Sequence, residues 1–279
     1  MRTHKNNFAF SKATQTALKL ALEEDVGRGD ITSATLIPLG RRARAVVWAK
    51  QGGTFCGAAV FEEVYRLLDP RVRVKPLLRD GRRFPKGAKL IRLEGPARSV
   101  LSGERVALNL LAHLSGIATR THEFVRRVAH SPVLILDTRK TTPLWREVEK
   151  YAVRMGGGKN HRLGLYDAIF IKENHRAFAD FKKLAKFRGR FEIEVRNLKE
   201  LREALKLEPG VILFDNFKPD ALRQAVRLAR KIQPQVILEA SGGMTLENVV
   251  HYAAMGVDWI SVGALTHSAP PLDFSMLME

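Results

Sequence analysis

The sequence predicts an α/β protein in which a β/α barrel, closed or nearly so, follows a smaller module built on an antiparallel or mixed sheet. Three observations carry this. From about Val133 onward, short runs of branched apolar residues alternate with amphipathic helical stretches, the pattern of a parallel sheet with crossover helices. Between residues 40 and 100 the pattern changes, and turn signals (Gly40, "QGG", "DPR", "RDGRRFPKG", "EGP") punctuate alternating segments such as "ARAVVWA" and "KLIRLEG". The 279 residues suffice for a large domain with a smaller companion, and a hydrophobic share of 45% supports a sizeable core.

A helix joins the two modules. It is expected to open at Ser102, with Glu104 in its first turn, and to run through "RVALNLLAHLSGIATRTHEFVRRVA" with a break near Gly116. The candidate barrel strands follow: "VLILD" (133 to 137), "AIFIK" (168 to 172), "FEIEV" (191 to 195), "VILFD" (211 to 215), "VILEA" (236 to 240) and "WISVG" (259 to 263). Helices lie between them, such as 218 to 231, introduced by Pro219, and 245 to 254, introduced by Thr245. This repetition is what argues for a barrel.

Composition narrows the function. A single cysteine, Cys56 in "GTFCGAA", excludes an internal disulfide framework and reads as a small buried residue. No apolar run is long enough to span a bilayer, and Lys19, Glu23 and Glu24 interrupt the opening segment, so a soluble, unexported, cytoplasmic protein is expected. The formal charge of +18 suits any polyanion. Nucleic acid is the weaker choice, because the arginines are scattered, without aromatic interleaving or a binding motif.

In a parallel barrel the carboxyl ends of the strands form the active face. Those ends carry Asp137, Thr138, Arg139 and Lys140, then Lys172 and Glu173, then Glu192 and Glu194, then Asp215 and Asn216, then Glu239 with Ser241, Gly242 and Gly243, and finally Gly263. "ASGGMT" and "VGALT" each lead from a strand toward a helix with backbone N–H groups free to meet an anion, which reads as a phosphate cradle. "RMGGGKN" is not a Walker loop, since Val153 stands where its first glycine belongs. Its glycines let the chain pass close to a ligand and deliver Lys159, His161 and Arg162 to the rim; Lys159 receives no role.

Glu192 and Glu194 share one strand face, so both point into the barrel or both point out. Inside, they need a partner: a metal ion or ribose hydroxyls shared with Asp215, or an ion pair with Arg139 or Lys172. Arg105 sits in the first helical turn, where the macrodipole disfavours a cation. His113, His122, His130, His175 and His251 show no metal-motif spacing.

These residues resemble the quinolinate phosphoribosyltransferase family, the carboxylating nicotinate-nucleotide pyrophosphorylases. The matching segments are "EEDVGRGDITS" (23 to 33), "GERVALNLLAHLSGIAT" (103 to 119), "DTRKTTP" (137 to 143), "KYAVRMGGGKNHRLGLYDAIFIKENH" (150 to 175), "EIEV" (192 to 195), "DNF" (215 to 217), "EASGGMT" (239 to 245) and "SVGALTHS" (261 to 268), in order over nearly the whole chain. The resemblance implies an N-terminal α/β sandwich over residues 1 to 106 and an incomplete seven-stranded barrel over 107 to 267, with the tail, 268 to 279, packing back on the first domain.

It also implies a reaction, in which quinolinate and phosphoribosyl pyrophosphate, with Mg²⁺ as cofactor, give nicotinate mononucleotide, pyrophosphate and CO₂. Arg139, Lys140, His161, Arg162 and Lys172 would hold quinolinate, with Thr138 beside them. Glu194 and Asp215 would face ribose and Mg²⁺, and with Lys140 would form the catalytic set. Ser241, Gly242, Gly243, Val262, Gly263 and Ala264 would receive the 5-phosphate. Arg105 would complete the site of a neighbouring subunit in a homodimer or hexamer of dimers. Two positions depart from the family's pattern: Leu144 stands where glycine is expected, and Gly103 where alanine is. Other readings are a related barrel with a different acid pocket and a Schiff-base aldolase using Lys172.

Overall fold

A computed structural model of the chain describes residues 9–176, 178–186 and 189–279. The chain divides into two compact units. One takes the residues up to His122 together with Thr141–Gly157 and Ala269–Glu279, and the other takes Glu123–Lys140 and Gly158–Ser268.

In the first unit, β1 (Arg42–Ala49) forms a central strand. After it come the short β2 (Gly53–Thr54), then β3 (Arg73–Pro76), β4 (Arg83–Phe84) and β5 (Lys89–Pro96). The main sheet is antiparallel, with β1 between β5 and the C-terminal strand Phe274–Met278, and β3 beyond β5. β2 and β4 form a separate ribbon. Val46 and Val47, successive residues on opposite faces of β1, are both fully buried, so both faces of the sheet are covered there. The helix Ala58–Leu68 contributes Val60, Phe61, Val64 and Tyr65 to the core, at a spacing that puts them on one stripe. Cys56 is buried among these elements, and burial pushes its thiol well above the ordinary value, which removes it as a nucleophile.

The joining helix differs from expectation at two points. Ser102 ends a preceding helix, Ala97–Ser102, and the long helix spans Glu104–Arg127. It runs through Gly116 without a break. Glycine is there for space, since a Cβ would meet the Pro270 carbonyl oxygen at 2.2 Å where the returning tail crosses the helix. The tail residues Ala269–Glu279 and the helix up to His122 belong to the same compact unit. The helix Arg146–Met155 also belongs to this unit, held by a Tyr151 hydroxyl donating to Asp80 at 2.8 Å and by His113 Nε2 lying 2.8 Å from the buried Glu149.

The second unit is a parallel sheet of β6 (Leu134–Leu136), β7 (Phe170–Ile171), β8 (Glu192–Val195), β9 (Val211–Asp215), β10 (Ile237–Ser241) and β11 (Trp259–Ser261). Their spatial order is β6-β11-β10-β9-β8-β7. The seventh place is not a strand but a single parallel bridge between Leu136 and Lys159, held by Lys159 N–H to the Ile135 carbonyl at 2.8 Å and Asp137 N–H to the Lys159 carbonyl at 3.1 Å. Two hydrogen bonds leave no alternating apolar pattern, and so this element escapes a reading of periodicity. Lys159 thus has a main-chain role, and its side chain is exposed. Among the described residues β7 and the Lys159 segment remain unpaired at their outer edges, so the barrel is incomplete there. The helix Pro219–Ile232 forms as expected, whereas the next is shorter than expected, Val249–Ala253.

Candidate active site

Register sets the site. Asp215 lies beside Ser241, Ser241 beside Ser261, and Ser261 beside Leu136, so these strand ends reach one level. Side chains alternate along each strand, and the pairs Phe170 and Lys172, Leu213 and Asp215, Glu239 and Ser241, and Ser261 and Gly263 all face a cavity of about 620 Å³. Thr138, Arg139, Lys140, His161, Arg162, Glu194, Gly242, Gly243, Met244, Ala264 and His267 complete its lining.

All but two of the expected site residues converge here. Val262 is buried in the wall, where its N–H donates to the Leu136 carbonyl at 2.9 Å, and its side chain does not reach the cavity. Arg105 belongs to the first unit, exposed in the first turn of the long helix.

The cation-bearing loops are mounted on acids. Asp137 is fully buried at the end of β6, and its carboxylate accepts from the Asn160 side chain and from the His161 N–H. That ties the glycine loop to the strand bearing Arg139 and Lys140. Thr138 turns the chain by accepting from the Lys140 N–H at 3.0 Å. Arg162 stacks its guanidinium 5.1 Å from the Phe170 ring centre, and the Lys172 ammonium lies 4.7 Å from the same centre. Burial, and then the neighbouring Arg139, hold Arg162 below its usual range, and it remains a cation.

His161 is engaged at both ring nitrogens. Nδ1 accepts from the Arg162 N–H at 2.8 Å, so the ring proton sits on Nε2, which lies 2.8 Å from Glu192 Oε2. A role in gripping a substrate carboxylate requires that one of these bonds be given up. As built, the imidazole orients the Arg162 backbone.

The floor below is acidic. Glu192, Glu239 and His161 bring three potential ligand atoms within 4.8 Å of one another. Glu239 Oε1 accepts from the Ser261 hydroxyl, while Glu239 Oε2 and Glu192 Oε1 are buried without a hydrogen-bond partner. Burial, reinforced by Glu192, pushes the Glu239 carboxyl up to about 8, against the opposing pull of His161, Ser261 and Lys172. Burial therefore favours the neutral acid form of Glu239. Higher up, Glu194 pairs with Lys172 at 3.2 Å, one of the internal ion pairs the sequence left open.

Part of the cavity wall is backbone. The turn after β10 places Gly242 at φ 100°, against Asn216, whose N–H donates to the Ser241 carbonyl at 2.9 Å. The turn after β11 leads through Gly263 into the short helix Ala264–His267.

Sequence reasoning missed Phe170, Ser261, His267, Leu213 and Met244 as lining residues, and the buried role of Glu239. For Phe170, Leu213 and Ser261 a signal existed, since each stands two residues before a named site residue on the same strand face.

A β/α barrel that gathers cations and backbone turns around one cavity at the carboxyl ends of its strands defines an enzyme that handles anionic ligands. The family is narrower. The model of the quinolinate phosphoribosyl transferase C-terminal domain matches residues 117–277, and that of the N-terminal domain matches 30–115; the chain belongs to this family. It is 45% identical over 261 residues to a probable nicotinate-nucleotide pyrophosphorylase [carboxylating] of Bacillus subtilis, covering 91% of this chain and 89% of that one. A protein of the same description from Methanocaldococcus jannaschii is 42% identical, covering 93% and 95%. The structure of the nicotinate-nucleotide pyrophosphorylase from Francisella tularensis superposes with a TM-score of 0.89 at 35% identity, covering all of both chains.

Proposed function

We infer that this chain transfers the phosphoribosyl group of phosphoribosyl pyrophosphate to quinolinate and releases CO₂, giving nicotinate mononucleotide and pyrophosphate for NAD biosynthesis. One observation carries the reading: a single cavity brings Arg139, Lys140, Arg162 and Lys172 together with two backbone turns and with Glu194 and Asp215. Arginine forks suit the two carboxylates of quinolinate, and the turns suit a 5-phosphate.

The chemistry follows from charge. As the bond from ribose C1 to pyrophosphate breaks, the electron pair leaves with pyrophosphate, toward Lys140. Positive charge grows on the ribose, where the carboxylates of Glu194 and Asp215 stabilise it. The pyridine nitrogen lone pair then bonds to C1. The resulting cationic ring accepts the electron pair left on C2 as the adjacent carboxylate departs as CO₂, and C2 takes up a proton. No protein nucleophile is needed, which separates this reading from a Schiff-base use of Lys172.

Glu194 and Asp215 are hard oxygen donors on adjacent strands, a set that suits Mg²⁺, which takes one or two carboxylates together with phosphate oxygens and water. When bound, the ion would neutralise charge on the departing pyrophosphate. The setting we assign is cytoplasmic, because a phosphorylated polyanion crosses no bilayer unaided.

The test is incubation with quinolinate, phosphoribosyl pyrophosphate and Mg²⁺, following nicotinate mononucleotide and CO₂. Turnover of nicotinate in place of quinolinate would overturn the reading. We assign Arg105 to the site of a second copy, in keeping with its exposure. Mixing inactive Arg105→Ala and Lys140→Ala chains should then restore part of the activity, and verified mixed dimers that stay inactive would remove the shared site.

A further inference from the structure

Lys140 is held by the turn that follows β11. Its carbonyl accepts from the Thr266 hydroxyl at 2.8 Å, and Thr266 is only 2% exposed. The same hydroxyl lies 3.2 Å from the Gly263 carbonyl, one turn back on its own helix, so the shorter bond runs out to Lys140. The aliphatic stem of Lys140 rests on Gly263, where a Cβ would stand 3.0 Å from Lys140 Cδ. Gly263 has φ −64°, which any residue adopts, so the space above it, taken by the Lys140 stem and, at 3.2 Å, by the His267 ring, is the reason for a glycine there. Lys140 N–H is separately taken by Thr138. Both ends of the Lys140 peptide unit and its stem are therefore set, two of these three contacts coming from the one turn.

We propose that the turn after β11 is the mount of Lys140, with Thr266 and Gly263 acting as positioning residues that hold its ammonium where pyrophosphate departs. The proposal rests on the phosphoribosyl-transfer reading above. It adds a coupling: the turn whose backbone faces the 5-phosphate also carries the lysine, so binding energy from the remote phosphate is spent on placing Lys140. Loosening the mount should slow turnover more than it weakens quinolinate binding.

Thr266→Val keeps the shape and removes the hydroxyl, Thr266→Ser keeps the hydroxyl, and Gly263→Ala puts a methyl under the Lys140 stem. One lost hydrogen bond of typical net strength corresponds to about a tenfold fall in kcat for Thr266→Val, with KM for quinolinate within about twofold of the parent. Thr266→Ser should restore kcat, and Gly263→Ala should slow turnover with its thermal midpoint unchanged. Parent kcat in Thr266→Val, or equal damage in Thr266→Ser, overturns the mount.

A second measurement separates this from failure of the functional reading. Calorimetry with inorganic pyrophosphate and Mg²⁺ should show weaker binding in Thr266→Val than in the parent, and inorganic phosphate should bind both alike. If the parent forms no nicotinate mononucleotide yet this difference appears, the mount stands and the reaction assigned above falls. Equal pyrophosphate binding in both proteins, or none in the parent, overturns the mount itself.

Discussion

The two walls of the cavity are made differently. One is backbone, the turns at Ser241–Gly243 and Gly263–Ala264; the other is side chains, Arg139, Lys140, Arg162 and Lys172 standing over buried acids. A backbone wall holds its donors in place through the fold and does not titrate. A side-chain wall can be aimed at a planar dianion, but it gathers like charges that must be balanced by nearby acids, as Lys172 is by Glu194. The first should therefore fail through geometry and the second through charge.

The sharpest break is Gly242→Ala. The backbone there has φ 100°, and a Cβ would meet Asn216 Oδ1 at 2.1 Å. The turn must move, taking its N–H groups away from the phosphate. Loss of one preorganised donor of this kind costs on the order of a hundredfold in turnover. Quinolinate binding, measured separately by calorimetry, should survive. Activity within a few-fold of the parent would mean that the turn is not the phosphate site.

The side-chain wall is tested by Arg139→Lys and Arg162→Lys. Charge is kept, but the fork that pairs with a carboxylate is lost. Hydrogen bonds to charged groups are worth about 1.5–3 kcal/mol, so quinolinate affinity should fall roughly tenfold or more while that for phosphoribosyl pyrophosphate changes little. Unchanged quinolinate affinity in both variants would sink the assignment.

The walls also differed in how they could be read from sequence. The backbone wall was legible because glycines after a branched apolar strand have few other meanings, and the cations were legible because four of them end strands or follow a glycine loop. The counter-charges were not. Asp137 and Glu239 look in sequence like any other acids at strand ends; what distinguishes them is burial, which depends on partners brought in by other strands and loops, Asn160 and His161 for Asp137, Ser261 and Glu192 for Glu239. Nor was the engagement of both His161 nitrogens legible, because it depends on how the loop folds back on Glu192. In the fold, six strands were readable from their apolar pattern, while the seventh place rests on two backbone bonds at Lys159, and the close approach of Pro270 to Gly116 is one that no local pattern announces.

The buried charge predicts a pH signature. The Glu239 carboxyl goes from its ordinary 4.5 to about 8 on folding, so the folded chain binds a proton that the unfolded chain has released. Its contribution to stability is intact below pH 4.5 and is lost as pH rises through 8, at up to about 1.4 kcal/mol per pH unit for one proton. Glu239→Gln is neutral throughout and can still accept from Ser261. Its unfolding free energy should fall less steeply than the parent's between pH 5 and 8, as read by urea unfolding. Identical slopes would show that Glu239 is ionised inside the fold, one more counter-anion for the side-chain wall.

The smallest effect concerns a loop that mixes the two designs. Leu144, at the position where the resemblance led us to expect glycine, adopts φ 68°, the left-handed region that suits glycine. A side chain there costs about 1–2 kcal/mol of backbone strain. Glycine would remove that strain but return about 0.4–1 kcal/mol through a freer unfolded chain. Leu144 is 62% exposed, so little burial is lost. Leu144→Gly should therefore stabilise the protein by roughly 0.5–1 kcal/mol, seen as a higher urea midpoint with an unchanged slope. A lower midpoint would show that the leucine makes contacts worth more than its strain, so that a side chain can replace glycine at a glycine-shaped turn without net cost.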